Sequence, residues 1–227
     1  MNNFRILLFF IACVFLSVSV KSQSNFYGTI TYESFDTEIG TNNRIKNSSK
    51  EIIYINDKFV RIETYFYRDK GGSITIINLE DQSMIYLKKL GKYGVKLSKE
   101  ELDSLKKVSK YREQKEIIYS NKTKKNSGYN CKQANFHIPN DTSALDLFYT
   151  TKMIVPKCLN ESFGFSEIDG ILLQYSFYFP GVRGFSEERI VTHVAKKIKK
   201  GKPDKNLFNI PEDYQIVESY KEFKKLN

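Results

Sequence analysis

The sequence predicts a mainly β domain: one large antiparallel sheet of about ten strands, curled over a helix. Three observations lead there. Short segments with apolar residues at every second position recur along most of the chain. Turn-forming clusters separate many of them at intervals too short for crossover helices. One segment, residues 97–110, carries the full signature of a capped amphipathic helix. A sheet of that size curls rather than staying flat, and the helix needs an apolar surface to lie on. A curled sheet with the helix laid across it meets both conditions.

The chain has 227 residues and a formal net charge of +10. Residues 1–22 read as a signal peptide. Arg5 precedes an unbroken apolar run over 6–20, and "VKS" at 20–22 fits a cleavage site. A membrane span needs roughly 20 apolar residues, more than this run supplies. "FIAC" (10–13) loosely fits a lipidated cysteine, but the apolar run continues well past Cys13. Cleavage after Ser22 leaves residues 23–227, a length suited to a single domain. It also removes Arg5 and Lys21 and no acid, so the net charge becomes +8. The expected location is periplasmic or secreted. The basic excess suits an anionic membrane surface or an acidic envelope protein. Export and the lack of any nucleic-acid motif argue against nucleic acid as a partner.

The elements follow in order. "FYGTITYESF" (26–35) opens the sheet, and the polar stretch 36–50 reads as a long loop. "EIIYIND" (51–57) and "KFVRIETYFYR" (58–68) form a hairpin that turns at Asn56-Asp57. In the second strand Val60, Ile62 and Phe66 share one face, and Arg61 and Glu63 take the other. "DKGG" (69–72) is turn chemistry, followed by strands at 73–79 and 83–90. In the helix, Ser98 and Glu101 form a capping box, Leu97 and Leu102 a hydrophobic staple, and Leu102, Leu105 and Val108 an apolar stripe. Strands return near 114–123, 128–138 and 145–152, and 155–170 reads as irregular with a short helix. "ILLQYSFYF" (171–179) places Ile171, Leu173, Tyr175, Phe177 and Phe179 on one face. The strand 188–200 places Ile190, Val194 and Ile198 together, an extended segment (206–217) closes the domain, and a short helical tail ends it.

Reactive side chains are scarce. His137 and His193 both fall opposite the apolar parity of their strands, and no H-x-x-x-H or C-x-x-C is present, so no metal is expected. Cys131 and His137 lie six positions apart on one strand, about 20 Å, too far to act as a nucleophilic pair. The acidic clusters sit in turns or on the helix surface. No nucleophile elbow, phosphate loop or dinucleotide fingerprint occurs, so neither enzymatic activity nor a cofactor is expected. Cys131 and Cys158 remain after cleavage. An oxidising compartment favours a disulfide between them, worth roughly 3–4 kcal/mol; two buried thiols or a reactive pair are the alternatives. Lys196, Lys197, Lys199, Lys200 and Lys202 form the densest basic run, a solvated strand end or a contact for anionic lipid or an anionic partner. The 17 Phe and 15 Tyr suit a large core. On the concave face of a curled sheet they would also suit an acyl chain.

Four stretches in order resemble one family. These are "NDKFVRIETYF…GSITIINLEDQSMIYL", "NSGYNCKQANFHI", "GILLQYSF" and "NLFNIPEDYQIV". Together they resemble exported bacterial domains of unknown function related to the lipoprotein carriers LolA and LolB, over most of residues 26–217. Arg61 is placed like the strand arginine of that family. The resemblance implies a half-barrel of about eleven antiparallel strands over one to three helices, with an apolar cavity between them. It also implies a non-enzymatic envelope protein that binds a lipid or lipoprotein acyl chain. Val60, Ile62, Phe66, Leu173, Tyr175 and Phe177 are the expected cavity residues. The competing expectation is an envelope interaction module that uses its basic surface or a sheet edge, with no ligand cavity.

Overall fold

The computed structural model describes residues 25–38, 44–67, 71–108, 116–137, 144–179 and 188–226. Residues 1–22, expected as a signal peptide and containing Cys13, lie outside the described residues. Twelve strands form one open, curled sheet: β1 (Gly28–Glu38), β2 (Arg44–Ile55), β3 (Phe59–Phe66), β4 (Gly72–Asn78), β5 (Met84–Lys88), β6 (Tyr93–Leu97), β7 (Ile117–Asn126), β8 (Tyr129–His137), β9 (Ala144–Thr150), β10 (Ile171–Phe179), β11 (Arg189–Lys200) and β12 (Gln215–Val217). Three short helices accompany them among the described residues: α1 (Lys99–Val108), α2 (Lys157–Ser162) and α3 (Tyr220–Lys225). No helix among the described residues is long and apolar enough to cross a membrane.

The spatial order is β12-β6-β5-β4-β3-β2-β1-β11-β10-β9-β8-β7. Neighbours are antiparallel except β12, which runs parallel to β6. The polar stretch 36–50, expected as a loop, is largely strand: Asp36 pairs with Ile45 and Thr37 with Arg44, beyond a register shift. Ladder hydrogen bonds join backbone groups, so a polar strand end can stay paired once the neighbouring residues fix the register.

The helix signals are realised in atoms. The Glu101 amide donates to Ser98 Oγ at 3.3 Å, and the Ser98 amide donates to a Glu101 carboxylate oxygen at 2.8 Å. Leu97, Leu102 and Leu105 pack in one cluster with Val95, Val217 and Phe223. This holds α1 and α3 on the inner side of β5 and β6. At the end of α2 the Gly164 amide donates to Glu161 O and the Phe165 amide to Asn160 O. Gly164 takes φ +76°, the left-handed residue such a C-terminal motif requires. Buried Asn160 then donates to both Ile168 O and Gly170 O at 2.8 Å, pinning the loop that presents Phe163 and Phe165 to the core.

The curl is measured by the tip of the β7–β8 hairpin. Asn126 Nδ2 donates to Leu173 O at 2.8 Å on β10, and Ser127 Oγ to Ala195 O at 2.6 Å on β11. Those strands lie three to four positions away, roughly 14–19 Å across a flat sheet. Both acceptors sit at register shifts, beside Gln174 in the β9–β10 ladder and opposite Tyr32 in the β1–β11 ladder. Bulges disrupt the ladder and bend the strand, and the tip satisfies carbonyls at two of them.

Part of the sheet is buried on both faces. On the convex side Ile74, Ile76 and Leu87 pack against Ile210 and Tyr214 of the closing segment. Arg61 and Glu63, on the face opposite Val60 and Ile62, are therefore buried beneath that segment. Arg61 Nε meets Glu63 Oε1 at 2.6 Å, and Arg61 also donates to Leu207 O at 2.7 Å and Asn209 O at 3.3 Å. The parity of β11 is corrected too. Val191, His193 and Ala195 turn inward, opposite Asp36, Ser34 and Tyr32. The single bulged residue Lys196 then lets Ile198 join them, opposite the fully buried Ile30.

Candidate functional site

The concave face of the sheet and the three helices enclose a cavity of about 860 Å³. Most of its sheet wall comes from inward residues of four consecutive strands: Ile62 and Thr64 on β3, Thr75 and Ile77 on β4, Met84, Tyr86 and Lys88 on β5, and Leu97 at the end of β6. Leu102, Asp103 and Leu105 of α1 cover one side. Cys158, Glu161 and Ser162 of α2, with Phe163, cover another, and Tyr220 and Phe223 complete the wall. Gln82, Lys99 and Ser162 are exposed lining residues and mark the mouth.

At the buried end stand Glu51 and Tyr175. Glu51 shares parity with Ile53 and Ile55 on β2, opposite Tyr32 on β1 and Thr64 on β3. The Tyr175 hydroxyl donates to Glu51 Oε1 at 2.9 Å. Burial pushes the Glu51 carboxyl up to about 7, opposed by the Tyr175 hydrogen bond, which favours the ionised form. Burial, then the charge of Glu51, raises Tyr32 and Tyr175 well above the usual phenol range. Tyr32 spends its proton on Leu172 O at 2.7 Å.

Aromatic rings fix Tyr175 in place. His193 lies parallel to it at 4.7 Å, and Phe163 stacks on it at the same centroid distance. His193 Nδ1 is 2.9 Å from Ser34 Oγ. Burial lowers the imidazole to about 4, partly opposed by Asp36, so the ring is neutral at pH 7. A serine beside a histidine invites a nucleophilic reading. Ser34 is fully buried, however, and neither residue lines the cavity, so the pair is closed to a substrate in this structure. No group of three or more metal-ligating side chains occurs among the described residues.

Of the six expected cavity residues, Ile62, Tyr175 and Phe177 line it. Val60 and Leu173 face inward but are fully buried in the main core. Phe66 is corrected: it is the last residue of β3, 46% exposed, and outside the lining. The expected disulfide is corrected as well. Cys131 and Cys158 are not bonded to each other. The Cys131 thiol turns along its own strand to Tyr129 O at 3.6 Å, whereas Cys158 faces the cavity from α2. Of the basic run, Lys196 lies 3.9 Å from Glu33 and Lys202 lies 3.4 Å from Asp57. Lys197, Lys199 and Lys200 are exposed on the same strand.

Sequence reasoning missed Glu51. The signal was present: the residue begins "EIIYI" with the parity of two inward isoleucines, so a strand that buries Ile53 and Ile55 also buries it.

No protein-family model and no curated protein matches the chain. Among solved structures it is similar to PNGF-II in two crystal forms. One is 16% identical with a TM-score of 0.51, covering 88% of this chain and 33% of that chain. The other is 18% identical with a TM-score of 0.50, covering 88% and 32%. The chain thus spans about a third of the PNGF-II chain, and the likeness concerns the fold alone. An uncharacterized conserved protein from Thermus thermophilus is 10% identical at a TM-score of 0.48, over 85% of this chain and 91% of that one.

Proposed function

We propose that this chain is an exported, non-enzymatic envelope protein that holds the apolar chain of a lipid in the cavity between its sheet and helices. The observation that carries the reading is the lining itself. Ile62, Ile77, Met84, Leu97, Leu102, Leu105 and Phe177 present apolar groups to an 860 Å³ space. That volume falls within the range of small-ligand sites, which are largely apolar with a few placed polar groups. The motif resemblance to the LolA- and LolB-related domains supports the same reading. Lys197, Lys199 and Lys200 would meet an anionic membrane surface during loading or release.

The test is native mass spectrometry, with lipid extraction, on protein purified from the envelope of cells that export it. A bound species of lipid mass is expected, together with saturable uptake of the neutral probe N-phenyl-1-naphthylamine. Absence of both overturns the reading. A co-purifying protein in place of a lipid would favour an interaction module, which the exposed edge strand β7 would serve. That strand presents Ile118 at 45% and Tyr119 at 54% exposure.

A further inference from the structure

The buried end of the cavity is not simply apolar. Glu51 commits one carboxyl oxygen to Tyr175, and among the described residues no second hydrogen bond reaches the carboxyl. Three neighbouring donors are already engaged. Tyr175 donates to Glu51 itself, Tyr32 to Leu172 O, and His193 Nδ1 is engaged with Ser34. Among the described residues no cation figures in the surroundings that set the Glu51 carboxyl, only burial and the Tyr175 hydroxyl. Among the described residues the lining cations are Lys88 and Lys99, and the lining also holds the acids Asp103 and Glu161. An anionic head group pushed to this end would meet a buried carboxyl with no compensating cation, at a large desolvation cost. A head group that donates a hydrogen bond meets an acceptor with a lone pair to spare.

We propose that Glu51, held by Tyr175, receives a hydrogen-bond-donating head. The cavity then takes a single-chain amphiphile that ends in a hydroxyl or amine, in preference to a carboxylate. The inference rests on the apolar-ligand reading and deepens it by assigning the head. Thr64 sits opposite Glu51 on β3, and Thr75 lies one strand further on; both are half-buried lining residues that widen the approach. The chain of the ligand then runs from the carboxyl outward, past Ile62 and Ile77 toward Met84 and Leu102.

The experiment is displacement of N-phenyl-1-naphthylamine from the full-length mature protein at pH 8 by dodecanol, dodecylamine and dodecanoate. The alcohol and the amine are expected to displace the probe at concentrations about tenfold below dodecanoate, the margin of a hydrogen bond to a charged group. In Glu51→Gln the amide keeps an oxygen for Tyr175 and presents an NH₂ to the cavity, so the margin should vanish or reverse. Equal displacement by all three ligands in the unmodified protein overturns the head assignment and leaves the apolar cavity standing. An unchanged ranking in Glu51→Gln does the same. A probe that never binds overturns the apolar-ligand reading and this inference with it.

Discussion

Tyr175 and Glu51 are 124 positions apart in sequence and hydrogen-bonded at 2.9 Å inside the fold. Between their strands lie β1 and β11. The bond therefore reaches across the bend of the sheet, and it joins the two halves of the chain at the buried end of the cavity.

Glu51 and His193 give stability two opposed pH dependences. Glu51 titrates near 7 when folded against 4.5 as a free group. Its folded form holds the proton more tightly, so it costs stability as pH rises from about 4.5 to 7, on the order of 3 kcal/mol in all. His193 titrates near 4 when folded against 6.5. Its unfolded form holds the proton more tightly, so stability is lost as pH falls from about 6.5 toward 4. Between those limits the two effects offset each other. Melting temperatures of Glu51→Gln and His193→Gln across pH 4–8 should separate them. Glu51→Gln should gain on the unmodified protein as pH rises, and His193→Gln should gain as pH falls. Parallel curves for all three proteins would refute the assignment.

Arg61 anchors the closing segment. Arg61→Ala leaves Glu63 buried beside Lys89 at 4.0 Å, and frees the carbonyls of Leu207 and Asn209. Removing one partner of a buried pair costs about 3–5 kcal/mol. Urea denaturation should show that loss for Arg61→Ala and a smaller loss for Arg61→Ala with Glu63→Ala than the two single losses added together. Strict additivity would mean that the pair is not coupled.

Thr75→Trp tests whether the cavity is real space. Thr75 is opposite Ile62 on one side and Tyr86 on the other, all three lining the cavity. The chain contains no other tryptophan. The indole should fill the space, emit at short wavelength and reduce probe affinity by about tenfold, with little change in stability. A destabilised variant with water-like emission would show that the ring had been pushed out.

The two cysteines should differ toward a thiol reagent. Burial raises the Cys131 thiol, and the residue is fully enclosed. Cys158 is partly exposed and faces the cavity. Alkylation under non-reducing conditions, read by mass spectrometry, should modify Cys158 first, and an occupied cavity should slow it. A disulfide-linked peptide containing both residues would contradict the structure.

Much of the sheet was legible because alternation is a local property. Val60 and Ile62 turn inward as their spacing predicts, and so do Leu173, Tyr175 and Phe177. The capping box at Ser98 was legible for the same reason, since all its parts lie within four residues. What escaped depends on long-range placement. Nothing in the strand of Arg61 and Glu63 announces that residues 205–214, far along the chain, will cover the face they occupy. His193 read as outward because one bulged lysine changes the parity of β11. The expected pairing of Cys131 with Cys158 followed from compartment and count, and neither determines which way a side chain points.

The place of β1 has a consequence for how the chain reaches this state. One neighbour, β2, follows it directly; the other, β11, pairs Gly28 with Lys200. The strands β1 to β6 can assemble hairpin by hairpin as soon as they exist. The middle of the finished sheet, by contrast, is sealed only by nearly the last strand to be made. Contacts of such long sequence separation slow folding. Until they form, the half-made protein carries an unpaired strand edge open to any other chain. The strand order thus makes slow folding the expectation, and the open edge of β1 the place where misassembly would begin.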